Sequence, residues 1–302
     1  MQESRAASLS RGAVFFSALM FLLFLLGSAV SGIAGIFFTQ IVIFFGVAVG
    51  FAVYYEKRPV AEVFRLRPLG ARGYARSLLL GVIVWAMLFA MGSVITRVIE
   101  LTGGKIPAMY TDLATSSFAL ALITRALLPA ICEEMAFRGY LQWSLGPLGA
   151  TVATVGTGLL FGAMHFTVIR VIPLALLGWL FAVAVQRSGS ILPGMIMHFL
   201  NNAVNLFLAY FAKVPEEWTR SPLALVGLLA ASVVLARVGW KVAQGFSQAD
   251  LAGGVEAVEA ARDERPPAPR AALGQLVVPL LPGLMIYLYG VLGELYMTYW
   301  AS

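Results

Sequence analysis

The rarest ionisable side chains of this chain lie inside long apolar segments. His165 and His198 are the only histidines among 302 residues, and Glu133 and Glu134 stand side by side in the segment ICEEMAFRG. Hydrophobic residues make up 60% of the chain and charged residues 12%. An ionisable side chain at the centre of a membrane helix costs about 2.5–3.5 kcal/mol to insert. We therefore interpret these residues as a functional site.

Helical spacing gives the two adjacent glutamates different partners. Glu134 and Arg138 are four residues apart and share one helix face, so they can form an ion pair. Glu133 points about 100° away and has no such partner nearby in the sequence. An unpaired carboxylate in apolar surroundings suits a general base that accepts a proton from water.

A histidine and an amide form a second group. His198 and Asn202 are four residues apart in MHFLNN, so both can donate hydrogen bonds to one point, as an oxyanion hole requires. His165 follows Phe161 by one helical turn in FGAMHF. Each of these polar residues could instead make a hydrogen bond between helices, and Asn202 could do so together with Asn201.

Apolar segments long enough to cross a bilayer fill most of the chain. A crossing helix needs about 20 apolar residues, and lipid excludes unpaired backbone groups. We predict an all-α polytopic transmembrane helical bundle and exclude a soluble enzyme. The eight predicted core helices cover 13–31, 34–54, 77–98, 113–144, 148–167, 169–186, 191–211 and 222–242. A candidate ninth helix at 273–300 contains Pro279 and Pro282, which disfavour a regular helix.

Composition divides the chain into three parts. Residues 1–242 form the membrane-embedded helical core, and the candidate catalytic motifs fall within 113–211. Residues 243–271 are rich in alanine, glycine, proline and charge, which predicts a flexible cytoplasmic linker. Residues 272–302 form an additional C-terminal apolar helix.

The basic residues concentrate in short loops. Six lysines and arginines occur within 55–77, which predicts a cytoplasmic loop and, with two helices before it, a cytoplasmic N-terminus. Val63, Phe64 and Leu66 in this loop predict a short helix on the membrane surface. The net charge of +6 is explained in this way, and we exclude nucleic-acid binding. We predict a multi-pass protein of a bacterial inner (plasma) membrane.

Strict alternation of crossings separates two candidate site residues. Glu133 falls near the cytoplasmic end of its helix, and His165 falls near the opposite end of the next. They meet only if a kink at Pro129 holds Glu133 deeper, or if the helix with His165 is shifted or broken. Three glycines in that helix allow close packing or such a break: Gly156, Gly158 and Gly162.

Three motifs in this order resemble the CPBP family of CAAX proteases and bacteriocin-processing enzymes, also called the Abi family. EEMAFRG has the form EExxxR, FGAMH has the form FxxxH, and HFLNN has the form HxxxN. The resemblance covers about 113–211. It implies an intramembrane glutamate-type endopeptidase, similar to the type II CAAX prenyl endopeptidases, that acts on a membrane-anchored protein or peptide and needs no cofactor.

The resemblance also implies a role for each motif residue. Glu133 together with His165 would activate the attacking water, and His198 with Asn202 would stabilise the tetrahedral oxyanion. Glu134 and Arg138 would hold the motif helix in place. The expected partners are the lipid bilayer and the substrate, and the oligomeric state stays open.

Other functions are compatible with the same residues. Glu133, His165 and His198 could bind Zn²⁺ with water in the fourth position, as in a metalloprotease, although HExxH is absent. A non-catalytic membrane scaffold or binding protein is a second alternative. A cysteine protease using Cys132 is disfavoured, because no histidine lies near it in the sequence to activate it.

Overall fold

The computed structural model describes residues 2–27, 29–104, 117–212, 221–252 and 269–299. Across these ranges the chain forms helices and one isolated β-bridge between Leu69 and Leu251, and contains no strand, which confirms the all-α prediction. The helices of this part of the chain are α1 (Gln2–Leu26), α2 (Gly32–Glu56), α3 (Val60–Val63), α4 (Ala71–Leu101), α5 (118–145), α6 (Ala150–Ala163), α7 (Val168–Ser188), α8 (Leu192–Phe211), α9 (Pro222–Gln244) and α10 (Pro269–Tyr299).

Five helices of the described ranges are long and apolar enough to cross a membrane. They are α2, α4, α7, α9 and the part Val278–Tyr299 of α10. Large apolar side chains lie exposed on their outer faces, among them Leu223, Ile172 and Met285. Exposed apolar surface of this kind on helices of membrane-spanning length is the surface that lipid covers. The protein is therefore a multi-pass integral membrane protein.

Helix α5 carries the acidic motif and is widened in two places. π-helical turns cover Ile123–Leu127 and Met135–Leu141, on either side of the α-helical stretch Leu128–Glu134. A proline ring clashes with the carbonyl four residues earlier in a regular helix. The widened turn before Pro129 gives the ring room, so the predicted perturbation at Pro129 takes the form of a wide turn without a break.

Helix α6 is shorter than the predicted segment 148–167. It ends at Ala163, and residues 164–167 form a turn that leads into α7. Its 14 residues cover about 21 Å, which is less than the roughly 30 Å of a hydrocarbon layer. His165 therefore lies in the turn after α6, and not within the predicted helix 148–167. Gly158 and Gly162 allow the close contact of α6 with α7, since a Cβ on either would lie 2.7 Å from the backbone of α7.

The predicted linker at 243–271 begins with residues that pack against the core. Phe246 is fully buried, and the buried Asp250 pairs with Arg76 at 2.7 Å and accepts a hydrogen bond from the backbone of Gly70 through its own carbonyl. Residues 243–252 therefore include positions packed on the core, which corrects the prediction of a flexible linker over these residues. The last helix begins at Pro269, and residues 253–268 lie outside the described ranges.

The structure also differs from the prediction of a surface helix within 55–77. Helix α3 has four residues, and both Val63 and Phe64 are buried inside the protein. Phe64 lies directly against Gly139 of α5, where any side chain would overlap its ring. Val63 and Phe64 therefore fill the core beside the acidic motif, whereas Leu66, the third residue of the prediction, is 45% exposed.

Candidate active site

The expected ion pair of the acidic motif is present and fully enclosed. Arg138 Nη1 donates to Glu134 Oε1 at 2.8 Å, and both side chains are 0% exposed. Arg138 Nη2 donates to the carbonyl of Gly178 on α7 at 3.2 Å. The guanidinium lies over the ring of Phe161, with Cζ 4.2 Å from the ring centroid. Burial of this cation is thus compensated by a carboxylate, a carbonyl and a ring face.

His198 connects the two glutamates. Its Nδ1 lies 2.9 Å from Glu134 Oε1, and its Nε2 lies 4.0 Å from Glu133 Oε2. A carboxylate can only accept, so Nδ1 carries a proton and donates to Glu134. This bond fixes the ring and aims Nε2 towards Glu133. A backbone carbonyl or carboxylate on one ring nitrogen commonly orients a functional histidine in this way.

Glu133 has a partner that the sequence did not reveal. Gln40 of α2 donates from Nε2 to Glu133 Oε1 at 3.0 Å, and both residues are buried. Gln40 is the one amide in the apolar segment GIFFTQIVIFFG. A lone amide in an apolar segment is a sign of a functional or packing role for Gln40. Its partner in α5 is too distant in the sequence to be identified from it. We call Gln40, Glu133, Glu134, Arg138 and His198 the carboxylate cluster.

His165 lies at the accessible edge of the carboxylate cluster. Its side chain is exposed, and its Nδ1 is 2.9 Å from the carbonyl of Phe161, to which it donates. The ring packs edge-on against Phe161 at 5.0 Å, and Phe161 contacts His198 at 5.9 Å. His165 is close enough to interact with the charges of Glu133 and His198. Because Nδ1 donates to the carbonyl, Nε2 can accept a proton.

Asn202 is bonded to its neighbour on α8. Its side-chain oxygen accepts a hydrogen bond from Asn201 Nδ2 at 3.1 Å. This bond occupies the oxygen of Asn202 and not its Nδ2 donor. Asn202 shares a face of α8 with His198, four residues earlier. The structure therefore brings four motif residues into direct contact, joins His165 to them through Phe161, and places Asn202 one helical turn beyond His198.

Among the described residues no group of three or more His, Cys, Asp or Glu side chains has the geometry to hold a metal ion. Glu133, His165 and His198, the residues of the zinc alternative, do not form such a group. Cys132 is a free, buried thiol within the hydrophobic core.

Comparison with known families agrees with the motifs. The family model described as type II CAAX prenyl endopeptidase Rce1-like matches residues 115–204, which is less than half of the chain. No curated protein and no solved structure matches. The match covers the acidic motif, His165, His198 and Asn202, and it excludes all of α1 to α4, α9 and α10. It confirms the predicted resemblance and supports a CAAX-type intramembrane protease activity acting on a membrane-anchored substrate.

Proposed function

We propose that the protein is a glutamate-type intramembrane endopeptidase that uses Glu133 and His165 to activate water. The observation that carries this proposal is the enclosed carboxylate cluster, in which Glu133 is bonded to Gln40 and faces His198 while a separate cation neutralises Glu134. A carboxylate that no arginine or lysine of the described residues pairs with is the group expected of a general base.

The proposed reaction needs no covalent intermediate with the protein. Glu133, assisted by Nε2 of His165, accepts a proton from water while the water oxygen bonds to the scissile carbonyl carbon. The tetrahedral oxyanion then collapses, the C–N bond breaks, and the proton passes from the carboxyl group to the leaving amine. The products are a new carboxyl terminus and a new amino terminus.

His198 and Asn202 are the proposed oxyanion donors. The Nδ1 proton of His198 is held by Glu134, so the ring can donate from Nε2 only when both nitrogens are protonated. Asn202 would donate from Nδ2, since its oxygen is occupied by Asn201. Donors fixed before the reaction stabilise the developing charge without reorganisation.

The substrate and its location are part of the proposal. A buried site among helices favours a substrate that is itself held in the membrane, that is, a membrane-anchored peptide, leader or sorting segment. The basic loop 55–77 supports a cytoplasmic N-terminus in a bacterial inner membrane.

Proteolysis of pooled membrane-anchored peptides, with and without a prenyl group, tests the mechanism. We expect purified wild-type protein to cleave, and Glu133→Gln, His165→Ala and His198→Ala each to lose cleavage while keeping their thermal midpoint. Glu62→Gln is the matched control, since Glu62 is exposed and pairs with Arg58. Retained cleavage in Glu133→Gln would falsify the mechanism.

Repeating the assay with a zinc chelator distinguishes the proposed glutamate mechanism from the zinc metalloprotease alternative. Wild-type cleavage that persists with a zinc chelator agrees with a water-activating glutamate. Cleavage that disappears with the chelator and returns with added Zn²⁺ would instead assign Glu133 and the histidines to a metal.

A further inference from the structure

Helix α10 lies outside the family match and is bound firmly to α1. Ser17 Oγ donates to the carbonyl of Pro279 at 2.6 Å and accepts from the backbone N–H of Gly283 at 3.2 Å. These two backbone groups are four residues apart and pair with each other in a regular helix. Seven residues further along α1, Phe24 packs against Tyr289 with ring centroids 5.5 Å apart. The two helices therefore run in parallel, and these contacts fix the position of α10 along the axis of α1.

Near its C-terminal end, α10 presents a carboxylate to the start of α7. Glu294 Oε2 accepts from the backbone N–H of Val168 at 2.6 Å and of Ile169 at 3.4 Å, and Oε1 accepts from the hydroxyl of Thr167. The first N–H groups of a helix lack partners within it, and an anion there is favourable. Unsatisfied groups cost several kcal/mol where water is excluded. Glu294 therefore caps α7 from another helix.

The same helix holds the strained residue of the turn before α7. Phe166 has a φ of 53°, a conformation that side chains other than glycine rarely adopt. It packs on Gly290, where a Cβ would lie 2.8 Å from the Phe166 ring. Strained residues persist only where the surroundings determine them. The glycine of α10 thus permits the close contact that fixes Phe166.

His165 lies between these contacts and the carboxylate cluster. We name residues 164–167 the His165 turn. Phe166 and Thr167, the two residues after His165, are held by Gly290 and Glu294, and the imidazole itself is tied on the other side to the carbonyl of Phe161. The ring contacts Phe161 on one side, so its place depends on α6 and on the backbone of the turn.

We propose that Glu294 is a positioning residue for the peptidase reaction: by capping α7 it fixes the His165 turn, and so the position of His165 Nε2 relative to Glu133. The inference rests on the proposed function, in which His165 assists the general base. Helix α10 lies outside the family match, and the inference gives it a role in positioning His165 for the reaction.

The kinetic test compares three variants of the full-length protein. We expect Glu294→Gln to lower kcat by about 10²-fold, the effect of a misplacement near 1 Å, with KM unchanged and a displaced pH–rate profile. Glu294→Asp, which keeps a carboxylate, should recover part of the loss. Glu100→Gln is the matched control, because Glu100 pairs with Arg97 and does not touch the His165 turn. A kcat for Glu294→Gln equal to that of the control overturns the proposal.

A second readout does not depend on peptidase activity. The chain has two histidines, so their modification by diethyl pyrocarbonate can be followed separately by mass spectrometry. We expect Glu294→Gln to raise the modification rate of His165 and to leave that of buried His198 unchanged. Unchanged modification of His165 in folded Glu294→Gln contradicts the positioning role. A wild-type protein that cleaves no peptide overturns the proposed function alone, while this readout still tests the turn.

Should Glu294→Gln fail to fold, Gly290→Ala tests the same turn from its other contact. A methyl group there meets the Phe166 ring, and we expect the same fall in kcat and the same rise in His165 modification. A folded Gly290→Ala protein with wild-type values for both contradicts the proposal.

Discussion

The carboxylate cluster and the His165 turn are held in place by different means. In the carboxylate cluster, α2, α5 and α8 meet through hydrogen bonds between buried side chains. Glu134 accepts two of these bonds, one from Arg138 and one from His198. In the His165 turn, His165 is exposed and Met164 buried, Phe166 lies in the left-handed region, and two residues contact α10. The contrast indicates that the proposed base is fixed by polar bonds within the bundle, whereas its assisting histidine is fixed by a peripheral helix.

The largest effect is expected where the cluster loses its cation. Arg138→Met leaves Glu134 buried without its ion-pair partner, and removing one partner of a buried pair costs about 3–5 kcal/mol. We expect no detectable cleavage and a lower thermal midpoint. The double variant Glu134→Gln with Arg138→Met should regain the midpoint, because no unpaired charge remains, but not cleavage. Wild-type cleavage in Arg138→Met would show that the pair is dispensable.

The second-largest effect is expected at Asn202, one helical turn beyond His198. Asn202→Ala should lower kcat by about 10²–10³-fold with KM unchanged, the usual result of losing one oxyanion donor. Asn205→Ala is the matched control on the same helix, since Asn205 accepts from Trp85 Nε1 at 3.1 Å and takes no part in the site. Steady-state kinetics with one identified peptide measures both. Equal rates in the two variants would remove Asn202 from the oxyanion site.

A smaller effect is expected at the residue that joins α2 to the cluster. Gln40→Leu removes one hydrogen bond to a charged group, worth about 1.5–3 kcal/mol, which corresponds to a fall in kcat of about 10–10²-fold. Gln40→Glu should be worse than Gln40→Leu, because it places a second carboxylate against Glu133. The prediction is wrong if Gln40→Glu keeps the rate of the wild type.

The smallest effect is expected at Cys132. Its thiol is buried in the hydrophobic core, with no part in the cluster contacts. Cys132→Ser should therefore leave kcat and KM unchanged in the peptide assay. Loss of cleavage in a folded Cys132→Ser protein would revive the cysteine-protease alternative.

Local spacing predicted the parts of the site that lie on one helix. The pair of Glu134 and Arg138 follows from four-residue spacing, and it is present at 2.8 Å. The partner of Glu133 could not be predicted, since Gln40 is 93 residues away and nothing in either segment specifies their contact. The roles assigned to Glu133, His165, His198 and Asn202 in the reaction stay predictions.

Two predictions failed where polarity was taken as a guide to location. The polar segment after 242 was expected to be flexible, yet Phe246 and Asp250 are buried. The loop residues Val63 and Phe64 were expected on the membrane surface and fill the core instead. In both places a few buried contacts decide where the segment lies. The average composition of a sequence window does not reveal such contacts.

The sequence by itself determined the class of this protein, its membrane helices and the motifs that resemble CAAX proteases, because apolar length and i, i+4 spacing are local properties. The tertiary structure decided which groups meet: Gln40 with Glu133, His198 between two carboxylates, and Glu294 at the start of α7. Those contacts join segments 64 to 126 residues apart. They depend on how helices pack, and packing is a property of the whole bundle.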